Sequence, residues 1–121
     1  SVQQIKERVF FGCDELKNIT FETGSALTYI GSNVFSDCTS LTTITIPSSV
    51  EMIGNYLFDE FNYNIESIVF DDISTWYVTT SESDWTSKTN GIAIDVSNSE
   101  ANVEIFISIY NTYELVFTDF F

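Results

Sequence analysis

Between Phe10 and Phe70 the apolar residues recur at a spacing that is neither helical nor strictly alternating. From Phe35 they fall at Phe35, Cys38, Leu41, Ile44, Ile46, Val50, Ile53 and Leu57-Phe58, with polar residues between. The preceding stretch reads Phe10, Cys13, Leu16, Ile19, Phe21, Leu27, Ile30 and Val34-Phe35. Its first five positions keep the same spacing, and the longer step from Phe21 to Leu27 marks a two-residue insertion at or near Thr23-Gly24. Ile30-Gly31 returns as Ile53-Gly54, 23 residues on. A fixed period of this size is the mark of a solenoid, in which one short unit is stacked on its copy. A third unit, Phe58, Phe61, Ile65, Ile68 and Phe70, repeats with one extra residue within 62–64, which places Phe61 in the slot of Cys13 and Cys38. After Phe70 the period stops.

Within a unit, Leu-x-x-Ile-x-Ile predicts a short strand with Leu41, Ile44 and Ile46 inward. The β-branched residues at 42–46 suit a pleated surface. Pro47 ends the strand because it has no N–H to donate to a ladder. Gly31 and Gly54 are expected at sharp turns, where glycine reaches positive φ at little cost. Coils running in the same direction pair their strands in parallel, ~4.8 Å apart. Equivalent Leu, Ile and Phe residues then form one continuous core.

The pattern L-x-x-I-x-I-P-x-x-V-x-x-I-G-x-x-x-F-x-x-C, carried here by Leu41, Ile44, Ile46, Pro47, Val50, Ile53, Gly54 and Phe58 with the Cys slot at Cys13 and Cys38, resembles the BspA-like leucine-rich repeats of bacterial surface proteins. The resemblance covers roughly residues 1–72, about three coils with the first one partial. Two departures stand out: Val9, Val34 and Leu57 replace the alanine usual before the Phe, and Phe61 replaces Cys. Both are expected to keep an apolar side chain inside. The resemblance implies a leucine-rich-repeat solenoid of right-handed coils with a parallel β ladder, mostly β with little helix.

Residues 73–121 are expected to form a small α+β C-terminal cap that covers the last coil's apolar end and strand edge. Trp76–Val78 and Ile92–Val96 predict strands around the polar loop closed by Gly91. Ser97 and Glu100 have capping-box spacing. Residues 99–109 read as helix or, from the alternation of Val103, Ile105, Ile107 and Ile109, as strand. The similarity of the cap to the ends of such proteins favours helix, followed by a strand near Tyr113–Thr118. The repeat phase also runs back through Val2, Ile5 and Val9-Phe10, and the polar start SVQQIKER carries no signal-peptide pattern. The chain is therefore expected to be a C-terminal piece of a longer repeat protein. Its first coil should expose apolar groups and an unpaired strand edge, so self-association through the N-terminal coil is anticipated.

Charge narrows the partners. Eighteen acids face four bases, Lys6, Arg8, Lys17 and Lys88, for a net charge of -14. That field repels phosphate, so no nucleic acid partner is expected. No apolar run approaches the ~20 residues of a membrane span, so direct membrane insertion is not expected either. The acidity fits solubility at a cell surface or in secretion; calcium binding by Asp59, Asn62, Asn64 and Glu66 is the alternative, though their spacing is not an EF-hand loop.

Enzymatic chemistry finds little footing. The chain has no His, no Gly-rich phosphate loop and no G-x-S-x-G elbow. Asp59-Glu60 and Asp71-Asp72 are neighbours in turns, not carboxylates facing across a cleft. No catalytic, metal-binding or cofactor-binding residues are assigned, and no cofactor is expected. Cys13 and Cys38 share a slot on neighbouring coils, close enough for a disulfide, but ladder side chains point the same way and free thiols fit the slot better. Metal binding is weaker still, since zinc would lack ligands.

The working surface is expected on the outward strand positions, Asn18, Thr20, Thr43, Thr45, Ser67 and Val69, flanked by Lys17, Thr42 and Glu66. Stacked coils line such side chains up into a broad face. The family implies adhesion to a host or bacterial surface protein or glycan. The other reading is purely structural, a terminating cap or spacer whose binding site lies upstream. Trp76, Tyr77 and Trp85 are candidate anchors, with burial against the last coil as their competing role.

Overall fold

The computed structural model describes residues 3–21, 24–54, 56–59, 61–74, 76–79, 92–109 and 114–117. Val2, Thr23, Glu60, the loop 80–91 with Trp85, Lys88 and Gly91, and Tyr113 and Thr118 lie outside the described residues. Each coil contributes two short strands. The Leu-x-x-Ile-x-Ile strands are β2 (Asn18–Ile19), β4 (Thr43–Ile46) and β6 (Ser67–Phe70), which form a parallel three-stranded sheet. A second ladder, which the apolar spacing did not announce, is made by β1 (Gln4–Ile5), β3 (Tyr29–Ile30) and β5 (Met52–Ile53), also in parallel. These second strands are two residues long and carry one buried side chain each. A strand so short has no period to read.

Register follows the repeat. Asn18 pairs with Thr43 and Thr43 with Ser67, so Leu16, Leu41 and Ile65, two residues earlier in each coil, fall in one column. Ile19, Ile44 and Ile68 stack beside it. The phenylalanines form a parallel stack: Phe10 on Phe35 at 5.7 Å and Phe35 on Phe58 at 5.9 Å between ring centroids. Offset aromatic stacking of this kind adds to simple area burial. Pro47 directly follows β4, where it withholds no ladder hydrogen bond.

Gly31 and Gly54 do not adopt positive φ. They are glycine because neighbouring coils touch there: Gly31 N–H donates to Ile5 O and Gly54 N–H to Ile30 O, each at 2.8 Å. A Cβ on Gly31 would lie 2.5 Å from Glu7 N, and one on Gly54 2.6 Å from Ser32 N. The left-handed residues come two positions later, at Asn33 and Tyr56, with Arg8 equivalent in the first coil. Val9 is also not inside as expected. It is 54% exposed, because among the described residues no coil packs against that side of the first one, whereas Val34 and Leu57 are buried. Phe11 is exposed on the same coil, whose strands β1 and β2 are sheet edges.

Phe61 does not fill the Cys slot. Asn62 does, three residues before Ile65 as Cys13 and Cys38 precede Leu16 and Leu41, and its side chain is almost wholly buried (3% exposed). The extra residue of this coil therefore lies between Phe58 and Asn62. The slot asks for a donor, not only for apolar bulk: Asn62 Nδ2 donates to Phe35 O (2.9 Å) and Cys38 O (3.2 Å) of the coil below. Cys38 Sγ likewise donates to Phe10 O, 3.1 Å away, one coil further back.

Beyond β6, β7 (Trp76–Thr79), β8 (Ile92–Ile94) and β9 (Glu114–Phe117) pair antiparallel, and β9 also pairs antiparallel with β5. Between β8 and β9, a single helical turn α1 (Ala101–Glu104) runs into a π-helical segment (Ile105–Ile109). Ser97 and Glu100 do not form the expected capping box. Asn98 Oδ1 accepts from Ala101 N–H at 3.0 Å, while Ser97 donates to Asp95, whose carboxyl it holds below its ordinary pKa. The edge of β6 is closed at one residue: Ile68 N–H donates to Ser99 O, and Ile68 O accepts from buried Asn102 Nδ2, each within 2.9 Å. Phe106 meets Phe58 edge-on and lies against Phe70, ending the aromatic stack.

Candidate binding face

Alternation along the strands decides which side chains leave the core. In β4, Ile44 and Ile46 are buried, Thr43 is exposed and Thr45 half-buried. In β6, Ile68 and Phe70 are buried, Val69 is exposed and Ser67 half-buried. Asn18 and Thr20 are exposed on the first coil. The predicted face is thus one surface: Asn18, Thr43 and Ser67 form one row, Thr45 and Val69 a second, and Thr20 stands just past β2. Thr43 Oγ1 and Ser67 Oγ share a 2.8 Å hydrogen bond across the rows. Of the flanking residues, Thr42 is tied down, its amide and hydroxyl both donating to Lys17 O.

At the C-terminal ends of these strands the face opens into a groove of about 390 Å³, lined by Thr20, Phe21, Ser25, Thr45, Pro47 and Asp71 among others. Gly24, with φ +81°, turns the inserted segment of the first unit beside it. Ser49 Oγ donates to Leu27 O at 2.6 Å and fixes the far wall. The groove offers hydroxyls, one carboxylate and an apolar floor. Such a lining suits a polar ligand held by several weak bonds.

The remaining candidates resolve into structure. Trp76 is buried, 5.1 Å from Phe70 between centroids, so it anchors β7 to the core; Tyr77 is half-buried. Both thiols are free, and burial of Cys38 pushes its pKa above the ordinary thiol value. Asp59 Oδ1 accepts from the amides of Asp37 and Phe61, and Asn64 Nδ2 donates to Thr39 O, so these side chains serve the turns. No helix among the described residues is long and apolar enough to cross a membrane.

Stacked coils with two parallel ladders, an aligned outward face and a closed final edge define a repeat solenoid protein. More narrowly, the chain belongs to the BspA type leucine-rich repeat family, whose pattern matches residues 1–106 in six copies. The match runs past Phe70 through β7, β8 and α1. No curated protein and no solved structure matches the chain. The family is generally non-enzymatic and typically extracellular or surface-associated, and its repeats suggest a protein-interaction module.

Proposed function

We propose that the chain is a non-enzymatic cell-surface module that binds protein or glycan, in the manner of an adhesin, through Asn18, Thr20, Thr43, Thr45, Ser67 and Val69. Residues 1–72 are the coils and 73–121 the capping segment. The observation that carries this reading is the alignment of outward hydroxyl and amide groups over three coils, continuous with the groove beyond Thr20 and Thr45. Aligned repeats make broad recognition surfaces of this kind. The face holds no Trp, Tyr or Arg, the usual interface hot spots, so affinity rests on many polar contacts.

The test is to immobilise the chain and titrate extracellular-matrix proteins and glycans. Saturable binding abolished by Thr43→Glu and Thr45→Glu, with circular dichroism unchanged, is the expected result; binding untouched by both substitutions defeats the proposal. A second reading, that the segment only terminates a solenoid, draws support from the closure of Ile68 by Ser99 and Asn102. It predicts binding only when further repeats are joined upstream.

A further inference from the structure

The third coil spends its extra residue on display. Phe61 is lifted out of the core to 45% exposure, and Tyr63 beside it is 71% exposed. Their rings meet edge-on, 6.1 Å between centroids and 88° between planes. The turn that carries them is braced: Asp59 Oδ1 accepts from Phe61 N–H at 3.0 Å and from Asp37 N–H at 3.1 Å, and Asn62 Oδ1 accepts from Asp59 N–H at 2.8 Å. Two large rings exposed side by side on a turn whose backbone is braced at Asp59 and Phe61 are partly preorganised for a partner, because less backbone ordering remains to be lost on binding.

Charge says which partner. The chain carries -14, and three of its four cations, Lys6, Arg8 and Lys17, sit in the first coil. One of them, Arg8, already lies over the exposed ring of Phe11, 4.5 Å from its centroid. The Phe61–Tyr63 pair has acids around it in sequence, Asp59, Glu60 and Glu66, and no nearby base. Aromatic faces attract cations through their quadrupole, and an acidic field concentrates cations over them. Guanidinium suits this site better than ammonium, being planar, weakly hydrated and able to stack.

We propose that Phe61 and Tyr63 form a docking point for arginine side chains of a basic polypeptide partner. The rings belong to the turn before β6 and are not among the outward strand positions proposed as the binding face.

The experiment compares labelled octa-arginine and octa-lysine peptides on the full chain at physiological salt. Octa-arginine is expected to bind more tightly, and Phe61→Ser with Tyr63→Ser to weaken it about fivefold or more, each exposed ring contributing about two- to fivefold. The preference for arginine over lysine should vanish in that variant. Tyr63→Ser alone, at the more exposed ring, should show about a twofold loss and keeps the test open if the double variant misfolds. Ile73→Ser, an equally exposed apolar position at the other end of β6, should change nothing. Equal affinity for both peptides, or unchanged affinity in the variants, would mean that net charge alone attracts them and would overturn the proposal. So would an equal loss in Ile73→Ser, or self-association lost in the variants without any arginine preference, which would make a second copy the occupant.

Discussion

Replacing Asn62 by alanine removes three hydrogen bonds at once from the interior of the third coil. Nδ2 bonds Phe35 O and Cys38 O, and Oδ1 bonds Asp59 N–H, at 2.9, 3.2 and 2.8 Å. A net hydrogen bond is worth about 1 kcal/mol, and a buried group left unpaired costs about 1–3 kcal/mol. Asn62→Ala should therefore destabilise the chain by about 3 kcal/mol, a large share of the ~5–15 kcal/mol that holds a domain together. With an m-value of about 2 kcal/mol/M, the urea midpoint falls by about 1.5 M. Asn62→Cys is the informative companion. A thiol in this slot can donate as Cys38 does to Phe10 O, so it should recover part of the loss despite its smaller bonding capacity. The assay is equilibrium urea unfolding followed by circular dichroism, with m checked for constancy. If Asn62→Ala stays within about 0.5 kcal/mol of the parent, or if an apolar Asn62→Leu outperforms Asn62→Cys, the slot is a filler position and the donor argument fails.

Gly31→Ala places a Cβ 2.5 Å from Glu7 N and 2.9 Å from Lys6 C, both backbone, so two coils must part. Overpacking of this kind costs about 1–3 kcal/mol, and Gly31→Asn should be worse than Ala; an Asn variant more stable than Ala would restore the positive-φ reading of this glycine. Cys38 makes a statement about pH. Burial raises its folded pKa above the unfolded value, so its neutral thiol contributes stability below the ordinary thiol value, 9.0, and that contribution is lost as pH rises through the folded value. Urea midpoints measured upward from neutral pH should fall more steeply in the parent than in Cys38→Ala, and parallel slopes would refute the assignment.

The columns were legible because equal spacing in a stacked chain means equal place. Leu16, Leu41 and Ile65 could be matched by counting, and their outward neighbours Thr43 and Ser67 followed from strand alternation. Phe61 and Asn62 were not. An insertion of one residue can be placed at several points with the same count, and an apolar residue at the expected position wins on paper. In space the contest is decided by the carbonyls of Phe35 and Cys38, to which Asn62 Nδ2 donates from the next coil. The signal that would have found it was present, in the hydrogen-bonding ability shared by Cys and Asn. Counting hydrophobic residues does not see it.

The amino-acid order determined, by itself, that the chain winds in similar coils, which residues line most of the shared core, Val9 and Phe61 excepted, and which face of the Leu-x-x-Ile-x-Ile strands meets water. Those are properties of period and alternation, and each is local. Only the tertiary structure decided the second ladder, the reason for Gly31 and Gly54, the closing of β6 by Ser99 and Asn102, and the exposure of Phe61 and Tyr63. Each of these depends on how close one coil's backbone comes to the next, a distance that no single coil's residues contain.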